Sequence, residues 1–206
     1  MSSRREACQA VEAVLRAAES SRGGSVGYTP YHVYTALKLL SEEDPLGRPR
    51  LQRLLGLGEA PVKTLLQRLE ALGLAAKAGK GRGHTATEKG RSLYRQVEEA
   101  VRLYRVRTTP LGEAIVIVTP VLEPVRDLVG VYRVRDYLVA ENCRLCIVGG
   151  VDNGVPQYPG LPEEEAGELR GLDPGVARGV VVVVPRECVA KAFTGVLRLI
   201  SAEYCR

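Results

Sequence analysis

Residues 55–74, "LGLGEAPVKTLLQRLEALGL", carry the reading on which the rest of the chain turns. At 100° per residue Val62, Leu65, Leu66, Leu69 and Leu72 fall within an arc of roughly 120°, the stripe that a helix buries. Lys63, Thr64 and Gln67 fall on the opposite side. Ala60 and Ala71 share that outer side, so no bulky group prevents the helix from lying flat against a partner. The spacing predicts a helix from about Glu59 to Leu72, entered through a Gly56/Gly58 corner and stopped at Gly73, where a residue free to adopt positive φ suits a C-terminal cap.

Outward from this helix, the flanking segments complete a pattern. "RPRLQRLLG" predicts a short helix with Leu51, Leu54 and Leu55 inward, and Pro30–Ser41 a longer one capped by Thr29 with Pro30 in its first turn. After Gly73, alternating Leu74, Ala76 and Ala78 predict a strand, "GKGRG" a hairpin tip, and His84–Ala86 the returning strand. Thr87 caps a further helix, predicted from Glu88 to about Tyr104 on the spacing of Leu93, Val97, Val101 and Tyr104. Helix, helix, helix, hairpin, helix is the order of a winged helix-turn-helix.

The same residues resemble a family. Gly47-Arg48, Leu55-Gly56-Leu57-Gly58-Glu59, Val62-Lys63-Thr64-Leu65-Leu66, Leu72-Gly73-Leu74, Gly83-His84 and Thr87-Glu88-Lys89-Gly90 are similar to the opening of an archaeal group of predicted winged-helix transcriptional regulators with an uncharacterised C-terminal domain. "VRDYLV" at 134–139 resembles an Arg-Asp pair that opens a helix in that group. Where the group continues with Gly and Ala, this chain has "ENCRLCIVGG". The resemblance implies DNA binding by the first domain and a ββαββα antiparallel sheet in the second.

Read from its residues, the second half is α+β. "AIVIV", "RLCIVGG" and "RGVVVVV" are β-branched runs, interleaved with helices at Val131–Glu141, in "PEEEAGELRGL" and at Glu187–Tyr204. They predict a two-layer domain, one sheet with helices on one face, with a ferredoxin-like βαββαβ order as the competing assignment. The expected division is an amphipathic helix at 1–24, a winged-helix domain at 25–107, a linker at "TTPLGE", and an α+β domain for dimerisation or effector sensing at 110–206.

Charge follows this division. Residues 1–110 hold 19 Lys and Arg against 11 Asp and Glu, net +8, whereas residues 111–206 hold 10 against 13, net −3. A basic half suits a polyanion, here double-stranded DNA. Gln67 can pair with adenine, Lys63 with guanine, and Thr64 offers a methyl or a hydroxyl, with Ala60 permitting close approach. Arg68 on the flank, Arg48, Arg50 and Arg53 on the preceding helix, and Lys77, Lys80, Arg82 and His84 on the hairpin are the expected phosphate contacts. The plain alternative makes this face the solvated side of a core helix. The N-terminal amphipathic helix and the helix from 88 are expected to join a homodimer, since a twofold protein reads half-sites about 34 Å apart.

Other chemistry finds little support. Gly73 and Gly79-Lys80 are separated by five residues and followed by Gly81, which is not a phosphate loop, and "GLG" at 56–58 follows no strand. His32 and His84 have no nucleophile at useful spacing. Cys143 and Cys146 form a CxxC, but a strand would put their side chains on opposite faces, favouring buried structural thiols over redox chemistry; zinc would need two more ligands, for which Cys188 and Cys205 are candidates only if the fold gathers them. No cofactor, metal or catalysis is expected. The longest apolar run, Val180–Val184, is far too short to span a membrane, and the chain is expected to be cytoplasmic. Few Asn and an excess of Arg over Lys are compatible with a thermophile; the redox state of the five Cys stays open.

Overall fold

A computed structural model describes residues 2–19, 27–43, 45–79 and 81–206. Two compact units are present: residues 9–97 form one, and residues 3–8 with 98–206 form the other. The second begins earlier than the "TTPLGE" segment, which is a hairpin turn.

The first unit contains most of α1 (Ser2–Ala17), then α2 (Pro30–Glu42), α3 (Arg48–Leu55), α4 (Glu59–Ala71), a hairpin of β1 (Ala75–Lys77) and β2 (His84–Ala86), and the start of α5 (Glu88–Ala100). Its helix ends are built as their residues require. Thr29 and His32 form a reciprocal cap on α2 with Pro30 in the first turn, Gly56 closes α3 at φ +66°, and the Thr87 hydroxyl accepts from the Gly90 N–H at 3.1 Å. Val11, Val14, Val33, Leu37, Leu40, Leu51, Leu65 and Leu69 are fully buried, whereas Leu54, expected inward, is 45% exposed. An eight-residue helix buries only a narrow stripe, here Leu51 and Leu55. The apolar residues that marked α1 and α5 as dimer elements, Val11, Val14, Leu93 and Val97, lie inside the chain's own core.

One backbone bridge fastens the hairpin. Leu46 donates its N–H to the His84 carbonyl at 2.9 Å and accepts from the His84 N–H at 2.8 Å. Gly83 permits this approach: a Cβ there would stand 2.3 Å from the Leu46 oxygen, at φ +93°.

In the second unit, β3 (Arg102–Thr108), β4 (Gly112–Thr119), α6 (Leu128–Ala140), β5 (Ile147–Asp152), β6 (Val155–Gln157), α7 (Glu163–Arg170), β7 (Gly179–Pro185) and α8 (Val189–Glu203) follow in order. The helix expected to reach Tyr104 ends at Ala100, and the chain continues as the edge strand β3. All strands pair antiparallel in the order β3-β4-β7-β5-β6. The ββαββα succession is present and extended by β7 and α8; the ferredoxin-like order is absent among the described residues. Helices do not keep to one face. Val116, Val118, Val181 and Val183 share a buried cluster with Tyr158 and with Leu169 of α7, while the alternate residues Ile117, Val180 and Val182 point the other way and are equally buried. α6 contacts β5, and α8 contacts β7. At the α6–α8 crossing, a Cβ on Gly195 would lie 2.8 Å from the Tyr137 oxygen.

Cys8 and Cys205 form a disulfide within this unit, which answers the open redox question for that pair and removes Cys205 as a zinc ligand. Beside it, Arg4 donates to the Tyr204 carbonyl at 2.8 Å and lies over the Tyr204 ring. In the chain-entropy picture a loop this long stabilises by about 5 kcal/mol. No helix among the described residues is long and apolar enough to cross a membrane.

Two stability measurements follow. Gly83→Ala should cost about 3 kcal/mol or more, because left-handed strain adds to a backbone clash; Gly56→Ala, with open space around it, should cost about 1 kcal/mol, and denaturant melts of both compare them. Burial holds His32 below the ordinary histidine pKa, and its Nδ1 accepts from the Thr29 N–H at 3.1 Å. The folded state therefore disfavours its protonation, so this contribution is present at neutral pH and lost as pH falls through the ordinary histidine range. His32→Gln, whose amide oxygen can still accept from Thr29, should lack that acid-dependent component.

Candidate nucleic-acid interface

The two faces of α4 separate as its spacing requires. Ala60, Lys63, Thr64 and Gln67 are exposed, and Val62, Leu65, Leu66 and Leu69 are buried. The Thr64 hydroxyl donates to the Ala60 carbonyl at 3.0 Å. Lys63 and Gln67 engage no described residue through their polar ends. Glu59 is an exposed carboxylate at the helix start.

The flanking cations divide into those that face solvent and those already occupied. Arg48, Arg53, Lys77 and Arg82 are exposed. Arg50 is exposed but paired with Glu43. Arg68, expected on the flank, is partly buried and donates to the Arg16 carbonyl at 3.3 Å, where the last turn of α1 leaves acceptors open. Lys80 lies outside the described residues.

His84 departs most clearly from expectation. It is 8% exposed, and its Nε2 meets Glu70 Oε1 at 2.7 Å. The side chain braces the hairpin against α4 instead of standing on the tip, because the Leu46 bridge fixes its strand register and turns it inward. Lys89 similarly serves α4, donating to the Leu72 carbonyl at 2.9 Å.

Leu46 and Glu70 are the supporting residues that the sequence pattern missed. A single bridging residue in "DPLGRPR" has no periodicity to reveal it, and Glu70 gains its meaning from a hairpin formed later in the chain. The CxxC also differs from expectation: α6 ends at Ala140, Asn142 takes φ +60°, and residues 143–146 precede β5. These cysteines lie in the irregular segment between that turn and β5. Among the described residues no group of three or more His, Cys, Asp or Glu is arranged to hold a metal; in the acidic segment Glu163 pairs with Arg170, which holds its carboxyl below the usual carboxylate range.

No family model matches the chain, and no curated protein matches it. A solved structure described as hypothetical protein PH0730 from Pyrococcus horikoshii OT3 is similar in fold, with a TM-score of 0.60 at 22% identity, covering 86% of this chain and 95% of that one.

His84→Ala should destabilise the protein by about 1–3 kcal/mol by leaving Glu70 without its partner. Arg82→Ala should stay within about 0.5 kcal/mol of the parent. Thermal melts of the two variants test this division between brace and exposed cation; equal destabilisation would make Arg82 structural as well.

Proposed function

We propose that the first unit is a winged helix binding double-stranded DNA with sequence specificity, and that the chain is a non-enzymatic transcription regulator. The observation that carries the proposal is the outer face of α4, where Lys63, Thr64 and Gln67 stand exposed around Ala60 without side-chain partners that would occupy Lys63 or Gln67. In this reading α4 enters the major groove. Gln67 pairs with adenine, Lys63 with guanine, and the Thr64 methyl meets thymine. Arg48, Arg53, Lys77 and Arg82 neutralise phosphates, and the net +8 of residues 1–110 supplies the favourable field.

The proposal includes a cytoplasmic homodimer reading two half-sites. Since α1 and α5 bury their apolar residues internally, dimerisation is assigned to the C-terminal unit, where Leu128, Val129, Tyr132 and Val139 of α6 are exposed. That unit is also the candidate for sensing a small-molecule effector. RNA or protein docking is the rival use of the same fold.

Lys63→Ala and Gln67→Ala should each lower the ratio of specific to bulk duplex affinity by about five- to a hundredfold while retaining binding to bulk duplex. Arg82→Ala should weaken both equally and reduce the salt slope by about one unit. Competition binding over a salt series measures both effects. Unchanged duplex binding in the α4 variants, or preference for single-stranded RNA over duplex DNA, would remove the regulator reading.

A further inference from the structure

A cleft of about 590 Å³ opens in the first unit between α1, the end of α4 and α5. Its lining falls wholly within residues 9–96, inside that unit. Ala10, Ala13 and Ala17 recur at three and four residues along one face of α1, and their methyl groups leave open the space that larger side chains would fill. Leu74 and Leu93, both buried, continue the apolar wall. A volume of this size suits a small organic ligand, and a lining of aliphatic groups without an aromatic ring suits an aliphatic one.

The charge around the cleft has one sign. Arg16 of α1, Arg68 of α4 and Lys89 of α5 border it, and among the described residues no carboxylate does. The protein gives these cations few acceptors. Arg16 is exposed, and its side chain engages no described residue. Arg68 is partly buried: its Nη2 donates at 3.3 Å to the Arg16 carbonyl, an acceptor shared with the Glu19 N–H, and its Nε is closed off from solvent without a partner among the described residues. Lys89 uses one of its three donors on the Leu72 carbonyl. A guanidinium withdrawn from water with so few acceptors is costly, and an anion beside it would lower that cost. The other large cleft, in the second unit, differs in this respect, since its Arg126 and Arg133 are paired with Asp152 and Glu203.

We propose that this cleft binds an aliphatic monocarboxylate, with the hydrocarbon chain against the α1 alanines, Leu74 and Leu93, and the carboxylate held by Arg68 and Lys89 with Arg16 at the mouth. Apolar walls disfavour a bare phosphate or a nucleic-acid backbone, which would have to shed water without a polar replacement, and the three cations disfavour a neutral or positively charged amphiphile. The site is independent of the DNA-binding reading and separate from the sensing role assigned to the second unit.

The test is calorimetric titration of the full chain with decanoate, kept below its micelle concentration, with decanol, decyltrimethylammonium and inorganic phosphate as comparisons. Decanoate should bind once per chain, and decanol about tenfold more weakly or not at all. Arg68→Gln and Lys89→Gln should each weaken decanoate about tenfold while leaving decanol unchanged. Ala13→Leu should abolish binding by filling the cleft; Ala13 is partly exposed, so the variant should fold, and a melt of the free protein checks this. Arg82→Ala, a cation outside the cleft, should bind decanoate as the parent does. Absence of decanoate binding, equal binding of decanol, displacement of decanoate by phosphate, or binding retained in Ala13→Leu would overturn the proposal. So would a parent that is dimeric by light scattering and made monomeric by Ala13→Leu, which would place a second copy of the chain in the cleft.

Discussion

The exchange of backbone hydrogen bonds between Leu46 and His84 is the constraint on which the first unit depends. It joins the segment leading into α3 to the returning strand of the hairpin, and it is possible only because Gly83 has no side chain to strike the Leu46 carbonyl. Once that register is set, the His84 ring points inward and meets Glu70. One residue therefore connects the entrance to α3, the hairpin and α4. The exposed face of α4 and the basic hairpin acquire a common frame from these few bonds, each of which would contribute little if exposed to water and more where its partners are withdrawn from it.

A different constraint organises the second unit. The five consecutive valines of β7 are buried along their length, so the strand cannot occupy an edge or leave one face in solvent. It takes the centre of the sheet, between β4 and β5. Both faces then require cover, which explains α7 opposite α6 and α8 where a two-layer arrangement was expected. At the edge, β3 places Arg102, Arg105 and Arg107 outward, charges that discourage pairing with another strand.

Periodicity made the central features legible in sequence. The α4 spacing separates core from outer face, Thr29, Gly56 and Thr87 mark helix ends, and the glycines of "GKGRG" mark a hairpin. Where two periods overlapped, the reading failed: Val97, Val101 and Tyr104 continue a helical spacing, while Tyr104 and Val106, packed on the core, alternate with exposed Arg105 and Arg107 as a strand. Sheet pairing with β4 decides for the strand. His84 and the CxxC failed for another reason. Their orientation is imposed by Leu46 in one case and by the left-handed Asn142 in the other, neither of which leaves a mark in the hydrophobic pattern. The similarity in fold to hypothetical protein PH0730 extends over most of the chain without bearing on these side chains.

Selection of sites by the purified full chain from a random duplex-DNA pool, at a fixed near-physiological salt concentration, tests the central claim most directly. The account predicts enrichment of a palindrome whose half-sites are spaced by about one helical turn, ~34 Å. Binding without enrichment, or no binding to duplex at all, would contradict it and return the outer face of α4 to the solvated side of a core helix.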